Sequence, residues 1–390
     1  MESLTKPSQT TESQRLPDDI LFDILSRLPV QNLMQYRCVC KSWQSMISDP
    51  QFIKTHLHRS TQSLDTQRLM VTHPSNDHFI SLDCKSLHES KRVDSPWKTS
   101  YSYAKVLCTC DGLILLCFNY KAFMSPNRNR DNEFVLWNPT IRKHVMFSCP
   151  YNYINSGSSM LYGLCFDSST NGYKVIMLSE SFGVYVCVFD LKTLCWKEIR
   201  ESSFSISCRE NGVLVNGALH WIMTSKKCNS SVIVYFDLVE EKFKEVPKPD
   251  FGGKNVEFGL VGLRGWLCVY GWMDTTQVDV WAMKEYGKKE SWTKWITISA
   301  KRGSTFLCYL KPLCLRNTGE VLVEIGNREL AVYDPKECTF KIPLSFWNVH
   351  SLTVATYVES LVLLYDDDDT TKVRHRKVNP NRGYRNRLKK

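Results

Sequence analysis

The amino-acid sequence predicts a small all-α unit followed by a large all-β domain of propeller-like architecture. Residues 16–59 place apolar side chains at helical spacing. From about residue 68 onward, short runs rich in Val, Ile, Leu, Tyr, Phe and Trp alternate with Asp-Gly, Asn-Gly and Thr-Gly pairs, a pattern typical of antiparallel strands joined by turns. Within this β region, one sequence element recurs five times.

The composition favours folded domains and gives no sign of a membrane span. The 390 residues are 43% hydrophobic, 23% charged and 12% aromatic, which suffices for a sizeable core and allows two or three domains. The longest uninterrupted apolar run, Leu113–Phe118, is far shorter than the roughly 20 residues of a membrane helix. Residues 1–15 are polar, so we expect a disordered leader and neither a signal peptide nor a membrane partner.

The helical unit begins where Pro17 fits a first helical turn and two acids complement the N-terminal end of the helix dipole. Pro29 ends this first helix, a second apolar stripe runs over residues 33–47, and Asp49-Pro50 separates it from a short third helix. The sequence thus predicts three helices. A unit of residues 16–59 is near the size at which a core is no longer sufficient by itself, so we expect it to complete its core on a partner.

The repeated element of the β region is an aromatic residue near a strand end, followed by a turn. Its five copies are centred 52, 47, 45 and 52 residues apart, on Trp137, Phe189, Phe236, Trp281 and Tyr333. Such a period, with several strands per unit, is typical of propeller blades and predicts about six of them. Closure of the ring requires strands within residues 354–365 to pair with strands around residues 69–80.

The distribution of charge along the chain bears on its partners. Residues 371–390 hold nine Lys and Arg and no acid, so the other 370 residues carry 41 basic and 40 acidic side chains. We expect residues 366–390 to be a disordered tail, acidic and then basic. The basic part fits a nuclear import signal, a nucleic-acid contact or a solvated tail without a dedicated role, and the acidic run at 366–369 disfavours nucleic acid as a partner.

The 16 cysteines are scattered through apolar strand-like segments and are expected to be reduced and buried, which indicates a cytoplasmic and/or nuclear protein. The closely spaced pairs Cys38/Cys40 and Cys108/Cys110 have one intervening residue and no following His at zinc-finger spacing. We therefore expect no metal site and no cofactor.

The N-terminal segment resembles a known family in its order of residues. The matching residues are Leu16-Pro17-Asp18-Asp19-Ile20-Leu21 through Ile24-Leu25-Ser26-Arg27-Leu28-Pro29, Tyr36-Arg37-Cys38-Val39-Cys40-Lys41-Ser42-Trp43 and Ile47-Ser48-Asp49-Pro50-Gln51-Phe52. The chain resembles plant F-box proteins with an F-box associated interaction domain, relatives of the kelch-repeat F-box proteins. Residues 136–140 and 212–221 carry a more diffuse likeness to the associated domain. Gln31-Asn32 departs from the family pattern, but Asn32 can cap the second helix.

The resemblance implies a substrate-recognition subunit of an SCF-type (Skp, cullin, F-box) ubiquitin ligase without catalytic residues of its own. The F-box at 16–59 would bind a Skp-type adaptor and, through it, cullin; after a linker at 60–67, the kelch-like β domain at 68–365 would hold a protein substrate. Apolar anchors typical of interface hot spots are the expected adaptor contacts. They are Leu16, Pro17, Ile20, Leu21, Ile24, Leu28, Pro29, Val39, Trp43 and Ile47.

Five side chains in predicted loops are candidate substrate contacts, because aromatic residues dominate interface hot spots. They are Tyr151, Tyr153, Trp272, Met273 and Trp347. The competing interpretation, that such residues pack between blades, is the simpler one.

Two other functions compete with the ligase subunit. A propeller enzyme needs carboxylates or histidines that converge on the channel, but Asp190, Asp237 and Asp334 follow strand ends, where turn formation is the simpler role. His220, beside Trp221 in an apolar strand, is expected to be a packed core histidine. The second competitor is an F-box protein that acts outside any ligase as a scaffold, and association with cullin separates it from the ligase subunit.

Overall fold

The computed structural model describes residues 16–364, except 73–78, 88–89, 96–103, 119–132, 149–159, 181–182, 209, 253–255, 275, 300–308, 327 and 346–352. The chain divides into two compact units, Met1–Arg59 and Ser60–Lys390. The first unit is helical and the second consists of β-sheets, as the sequence predicts.

Four helices are present where the sequence predicts three. They are α1 (Asp18–Leu25), α2 (Val30–Tyr36), α3 (Lys41–Ser48) and α4 (Pro50–Gln62). The apolar stripe over residues 33–47 is divided because Cys40 adopts an extended conformation and caps α3, its Sγ accepting the Trp43 N–H at 3.5 Å. Periodicity alone does not show this break, because the stripe keeps its phase across it.

Helix α4 is longer than predicted and takes up the first part of the predicted linker. The Asp49 carboxylate caps it, accepting the N–H groups of Gln51 at 2.7 Å and Phe52 at 3.2 Å. The helix continues to Gln62, and a 3-10 turn, Leu64–Thr66, leads into the first strand.

The second unit is a six-bladed propeller, built from six antiparallel sheets. Its strands are β1 (Gln67–Thr72), β2 (Phe79–Asp83), β3 (Ser90–Val93), β4 (Ala104–Cys110), β5 (Leu113–Phe118), β6 (Glu133–Asn138), β7 (Lys143–Ser148), β8 (Met160–Asp167), β9 (Gly172–Glu180), β10 (Val184–Asp190), β11 (Cys195–Glu201), β12 (Phe204–Ser205), β13 (Val213–Val215), β14 (Ala218–Ser225), β15 (Ser230–Asp237), β16 (Lys242–Val246), β17 (Glu257–Leu263), β18 (Trp266–Trp272), β19 (Gln277–Met283), β20 (Trp292–Ser299), β21 (Leu310–Leu315), β22 (Val321–Ile325), β23 (Glu329–Asp334), β24 (Thr339–Ser345) and β25 (Thr353–Val358).

The blades follow one another along the chain, and only the first is composite. Blade one has the strand order β25-β1-β2-β3, and blades two, three, five and six are β4–β7, β8–β11, β17–β20 and β21–β24. In blade four, β12 and β13 both pair with β14, followed by β15 and β16. The six innermost strands, β25, β4, β8, β13, β17 and β21, contact one another in this ring order.

The ring closes as predicted. Strand β25 pairs antiparallel with β1 in a continuous register from Gln67↔Val358 to Thr72↔Thr353. This pairing hides the last free edges of the inner ring, so that no inner strand within the described residues is left without a neighbour.

The repeated aromatic residues lie near the end of the third strand of blades two to six, and they pack between sheets. Trp137, Phe189, Phe236 and Tyr333 are buried, and Trp281 is half-buried. The Phe189 ring stacks on Phe147 of the preceding blade with centroids 4.2 Å apart. The aromatic repeat therefore supplies contact between blades.

The acids that follow these aromatic residues form turns. Asp190, Asp237 and Asp334 each accept two backbone N–H groups, from the residues two and three positions further on. Asp83, at the end of β2, makes the same contacts with Lys85 and Ser86. This is a sixth copy of the repeat, which the sequence conceals because Leu82 stands in the place of the aromatic residue.

We expect Phe236→Ala to destabilise the propeller by about 3 to 5 kcal/mol, because it empties a site that is 3% exposed and packed against Phe243. Asp237→Asn keeps the oxygen that caps the turn and loses only a partly exposed ion pair with Lys244, which costs less than about 1 kcal/mol. Urea unfolding of both variants provides the measurement. Equal stability of the two would contradict the packing role assigned to the repeat.

Candidate functional site

An apolar surface lies on the helical unit, along and beside α1. Ile20 is 48% exposed and Ile24 45%, and their spacing of four residues places them on one side of α1. Leu16, just before the helix, is 58% exposed. Val39, in the turn between α2 and α3, is 61% exposed. Large apolar side chains with this much exposure mark an interaction site when they recur in one small unit.

The ten predicted adaptor contacts divide by burial. Six are exposed, namely the four above with Pro17 and Pro29, which precede the first residues of α1 and α2. Leu21, Leu28 and Trp43 are half-buried. Ile47 is 1% exposed and belongs to the core of the helical unit, so its side chain is not available for direct contact with an adaptor. Direct contact of these residues with an adaptor stays a prediction.

The core of the helical unit holds this surface in place. Leu25, Val30, Leu33, Ile47 and Phe52 are at most 1% exposed. Since α1 contributes Leu25 to this core and Ile20 and Ile24 to the surface, the exposed residues lie on a helix that is held by its buried side.

Polar contacts tie the last helix to the first. The Arg59 guanidinium pairs with the Asp23 carboxylate at 2.7 Å, and this Arg59 bond, with a second from Arg27, lowers the pKa of Asp23. His56 is buried, and its Nε2 donates to the Leu28 carbonyl at 2.9 Å. Burial lowers the pKa of His56, because it disfavours the charged ring.

The propeller has two unlike faces. On one face, the first and second strands of blades two to six are joined by turns of two to five residues. The strands that flank residues 119–132, 149–159, 300–309 and 346–352 end on the opposite face, which we call the long-connection face after the length of these segments. In the turn between β21 and β22, the Asn317 amide donates to Asp65 of the same unit at 2.7 Å.

Two of the five predicted substrate contacts, Trp272 and Met273, lie at the long-connection face. Trp272, at the end of β18, is half-buried with its ring edge-on to Tyr270 at 5.3 Å, and Met273 follows it. Tyr151, Tyr153 and Trp347 lie outside the described residues, in connections whose flanking strands end on this same face. The structure does not bring these five side chains into one described site.

Residues 206–208 and 210–212, which we name the channel segment, interrupt the inner strand of blade four. Between β12 and β13, the Asn211 side chain donates to the Leu107 carbonyl in blade two at 2.7 Å and accepts the Tyr162 N–H in blade three at 3.1 Å. Leu107 lies at an irregularity in the β4–β5 ladder, where a carbonyl is free to accept. Asn211 thus connects three blades around the axis.

Beside Asn211 lies a group of ionisable side chains that we name the channel cluster, made of Glu210, Tyr270, Lys311 and Glu324. The Tyr270 hydroxyl donates to Glu210 Oε1 at 2.5 Å. Burial raises the pKa of Glu324 to about 7, and Glu210 adds to this shift while Lys311 opposes it. Sequence analysis missed the cluster, because its members come from three blades and share no motif.

The residues of the competing enzyme hypothesis do not form a catalytic group. Asp190, Asp237 and Asp334 lie on third strands, two strands out from the channel, and serve turns. His220 is fully buried, with Nε2 accepting the Tyr286 hydroxyl at 2.6 Å, and burial lowers its pKa to about 4. It is a neutral core histidine at physiological pH.

Within the described ranges, no three His, Cys, Asp or Glu side chains are placed to hold a metal ion. Nor does any described helix have the length and apolar character to cross a membrane.

A small helical unit with an exposed apolar surface, followed by a closed six-bladed propeller, defines a protein of two modules. Residues 13–60 match the F-box-like family, and residues 61–364 match the F-box associated beta propeller domain. The chain therefore belongs to the F-box proteins that carry an F-box associated β-propeller.

Curated relatives extend over both modules. F-box protein CPR1 of Arabidopsis thaliana is 30% identical over 397 residues, covering 93% of this chain and 92% of its own. An F-box/kelch-repeat protein of the same plant is 27% identical over 347 residues, covering 85% of this chain and 90% of its own.

We expect Gly212→Ala, in the channel segment, to destabilise the propeller by about 1 to 3 kcal/mol, because a Cβ there would lie 2.6 Å from the buried Trp221 ring. Gly172→Ala is the matched control, since its Cβ would meet nothing closer than Lys192 at 3.7 Å. Thermal melts compare the two. A Gly212→Ala protein as stable as the control would show that the segment is not held against Trp221.

The lowered pKa of His56 predicts a pH dependence. An unfolded histidine binds a proton below about pH 6.5, whereas the folded ring resists it, so stability is complete above that pH and falls on acidification. His56→Gln removes the titrating group and should flatten this dependence. Hydrogen exchange of α1 and α4 at pH 7.5 and 5.5 measures it; identical slopes in both proteins would exclude His56 as the cause.

Proposed function

We propose that this protein is the substrate-recognition subunit of an SCF-type ubiquitin ligase. Its helical unit binds a Skp-type adaptor and, through it, cullin, while its propeller holds a protein target that is then ubiquitinated and degraded. Membership of the F-box family supports this assignment.

The observation that carries the proposal is the group of exposed apolar side chains on and just before α1. Leu16, Ile20 and Ile24 remain open to solvent although the same unit buries other apolar side chains in a core of its own. Exposed apolar side chains lower the solubility of a protein unless a partner covers them. A helix face with apolar side chains four residues apart fits an apolar groove or a helix pair of another protein.

No covalent step is assigned to this chain. Its contribution is to hold a target lysine near a ubiquitin-loaded conjugating enzyme, so that the reaction between them becomes effectively intramolecular. A cytoplasmic and/or nuclear location follows from this role, since the ligase and its targets must meet there.

Replacing Leu16 and Pro17 by Ala should weaken adaptor binding by about 2 to 5 kcal/mol, because both side chains are exposed and one precedes the first turn of α1. Binding of the purified full-length protein to a Skp-type adaptor is measured by calorimetry. Val239→Ala is the control, since it truncates an apolar side chain that is 79% exposed on the propeller.

Undiminished binding by the double variant would contradict the assignment of this surface. Adaptor binding without recruitment of cullin would instead support a scaffold that acts outside the ligase.

A further inference from the structure

The channel cluster lies near the long-connection face of the propeller. Tyr270 is near the end of β18, Glu324 near the end of β22 and Lys311 near the start of β21, and these strand ends meet on that face. Glu210 reaches the same level beside Asn211, whose side chain bonds the backbone near the start of β8.

The path of the Tyr270 side chain is prepared by a glycine. A Cβ at Gly259, on the neighbouring inner strand β17, would lie 2.3 Å from the Tyr270 ring. Only the absence of that side chain lets the buried ring pass and bring its hydroxyl to Glu210. The arrangement of hydroxyl and carboxylate is therefore fixed by the backbone.

The two carboxylates of the cluster have oxygens that receive no hydrogen bond from the described residues. Glu210 Oε2 is fully buried and has no hydrogen-bond partner among the described residues. Glu324 is 6% exposed and likewise receives no hydrogen bond within that part of the chain, while Lys311, its register partner on β21, makes no ion pair with it. The Tyr270 hydroxyl thus serves Glu210 alone.

Buried carboxylates without donors are costly, and such groups mark places where a ligand completes the hydrogen bonding. A group that completes the hydrogen bonding of these carboxylates supplies N–H donors and positive charge. A guanidinium or ammonium group does both, and the half-buried Trp272 ring, edge-on to Tyr270, offers an aromatic surface on which a cation is also stabilised.

We propose that the channel cluster binds a basic side chain, arginine or lysine, of the protein that the propeller holds. This inference rests on the proposed function, because it assigns the chemistry of the substrate. Glu210 and Glu324 accept hydrogen bonds from the basic group, and Tyr270 orients Glu210. Lys311 opposes binding through its own charge.

The test titrates the full-length protein with acetyl-Gly-Arg-Gly-amide and with the same peptide carrying citrulline, which has the shape of arginine without its charge. We expect the citrulline peptide to bind at least about tenfold more weakly, since hydrogen bonds to charged groups are the strong ones. A second pair, with lysine and acetyl-lysine, shows which basic side chain is preferred. Calorimetry gives the affinities.

Variants then locate the binding. Glu324→Gln should reduce affinity for the arginine peptide about tenfold, because it removes a negative charge. Lys311→Met should raise this affinity severalfold, because it removes a positive charge. Glu257→Gln, which removes an exposed acid from β17 at the same face, should leave binding unchanged. Thermal melts confirm that each variant is folded.

Equal binding of arginine and citrulline peptides would overturn the inference, as would equal losses in Glu324→Gln and Glu257→Gln, which would indicate only the general charge of the face. Adaptor binding is measured on the same preparations. If it is retained while the peptides fail to discriminate, the channel assignment falls and the ligase role stands; if it is lost in the parent protein, the ligase role falls.

Discussion

The antiparallel pairing of β25 with β1 is the constraint on which the propeller depends. Its partners, such as Gln67 and Val358, are nearly the full length of the domain apart in sequence. Bringing these strands together lowers the conformational entropy of the long chain between them. The contacts that offset this loss form only when all six inner strands are in place. The buried clusters between neighbouring blades, the alignment of the inner strands and the channel itself all presuppose this closure.

Local signals made the architecture predictable. The aromatic repeat gave the number of blades, because each copy lies at the equivalent point of a third strand, where a ring packs between sheets and an acid caps the turn. The copy at Leu82-Asp83 escaped notice since its turn chemistry was intact but its aromatic residue was absent. Similarly, the break between α2 and α3 depends on the capping thiol of Cys40, a residue seldom expected in that role.

The site was predictable only where it is local. Leu16, Ile20 and Ile24 could be chosen as apolar residues of the F-box pattern within one short segment, but the burial of Ile47 depends on how α3 packs, which the pattern does not show. The channel cluster was beyond sequence reasoning for a stronger reason. Glu210 and Glu324 are distant in sequence, and only ring closure and the glycine at 259 place a tyrosine between them.

The composite first blade also determines how the domain relates to the rest of any chain that carries it. Gln67 and Val358 are register partners on adjacent strands, so the two ends of the propeller lie roughly 5 Å apart. A domain with neighbouring ends can be joined to another module, or inserted into one, without disturbing its core. It can equally be circularly permuted, with a short peptide joining these ends and new termini opened in a connection of the opposite face. The propeller is therefore a transferable cassette, able to combine with different N-terminal modules over evolutionary time.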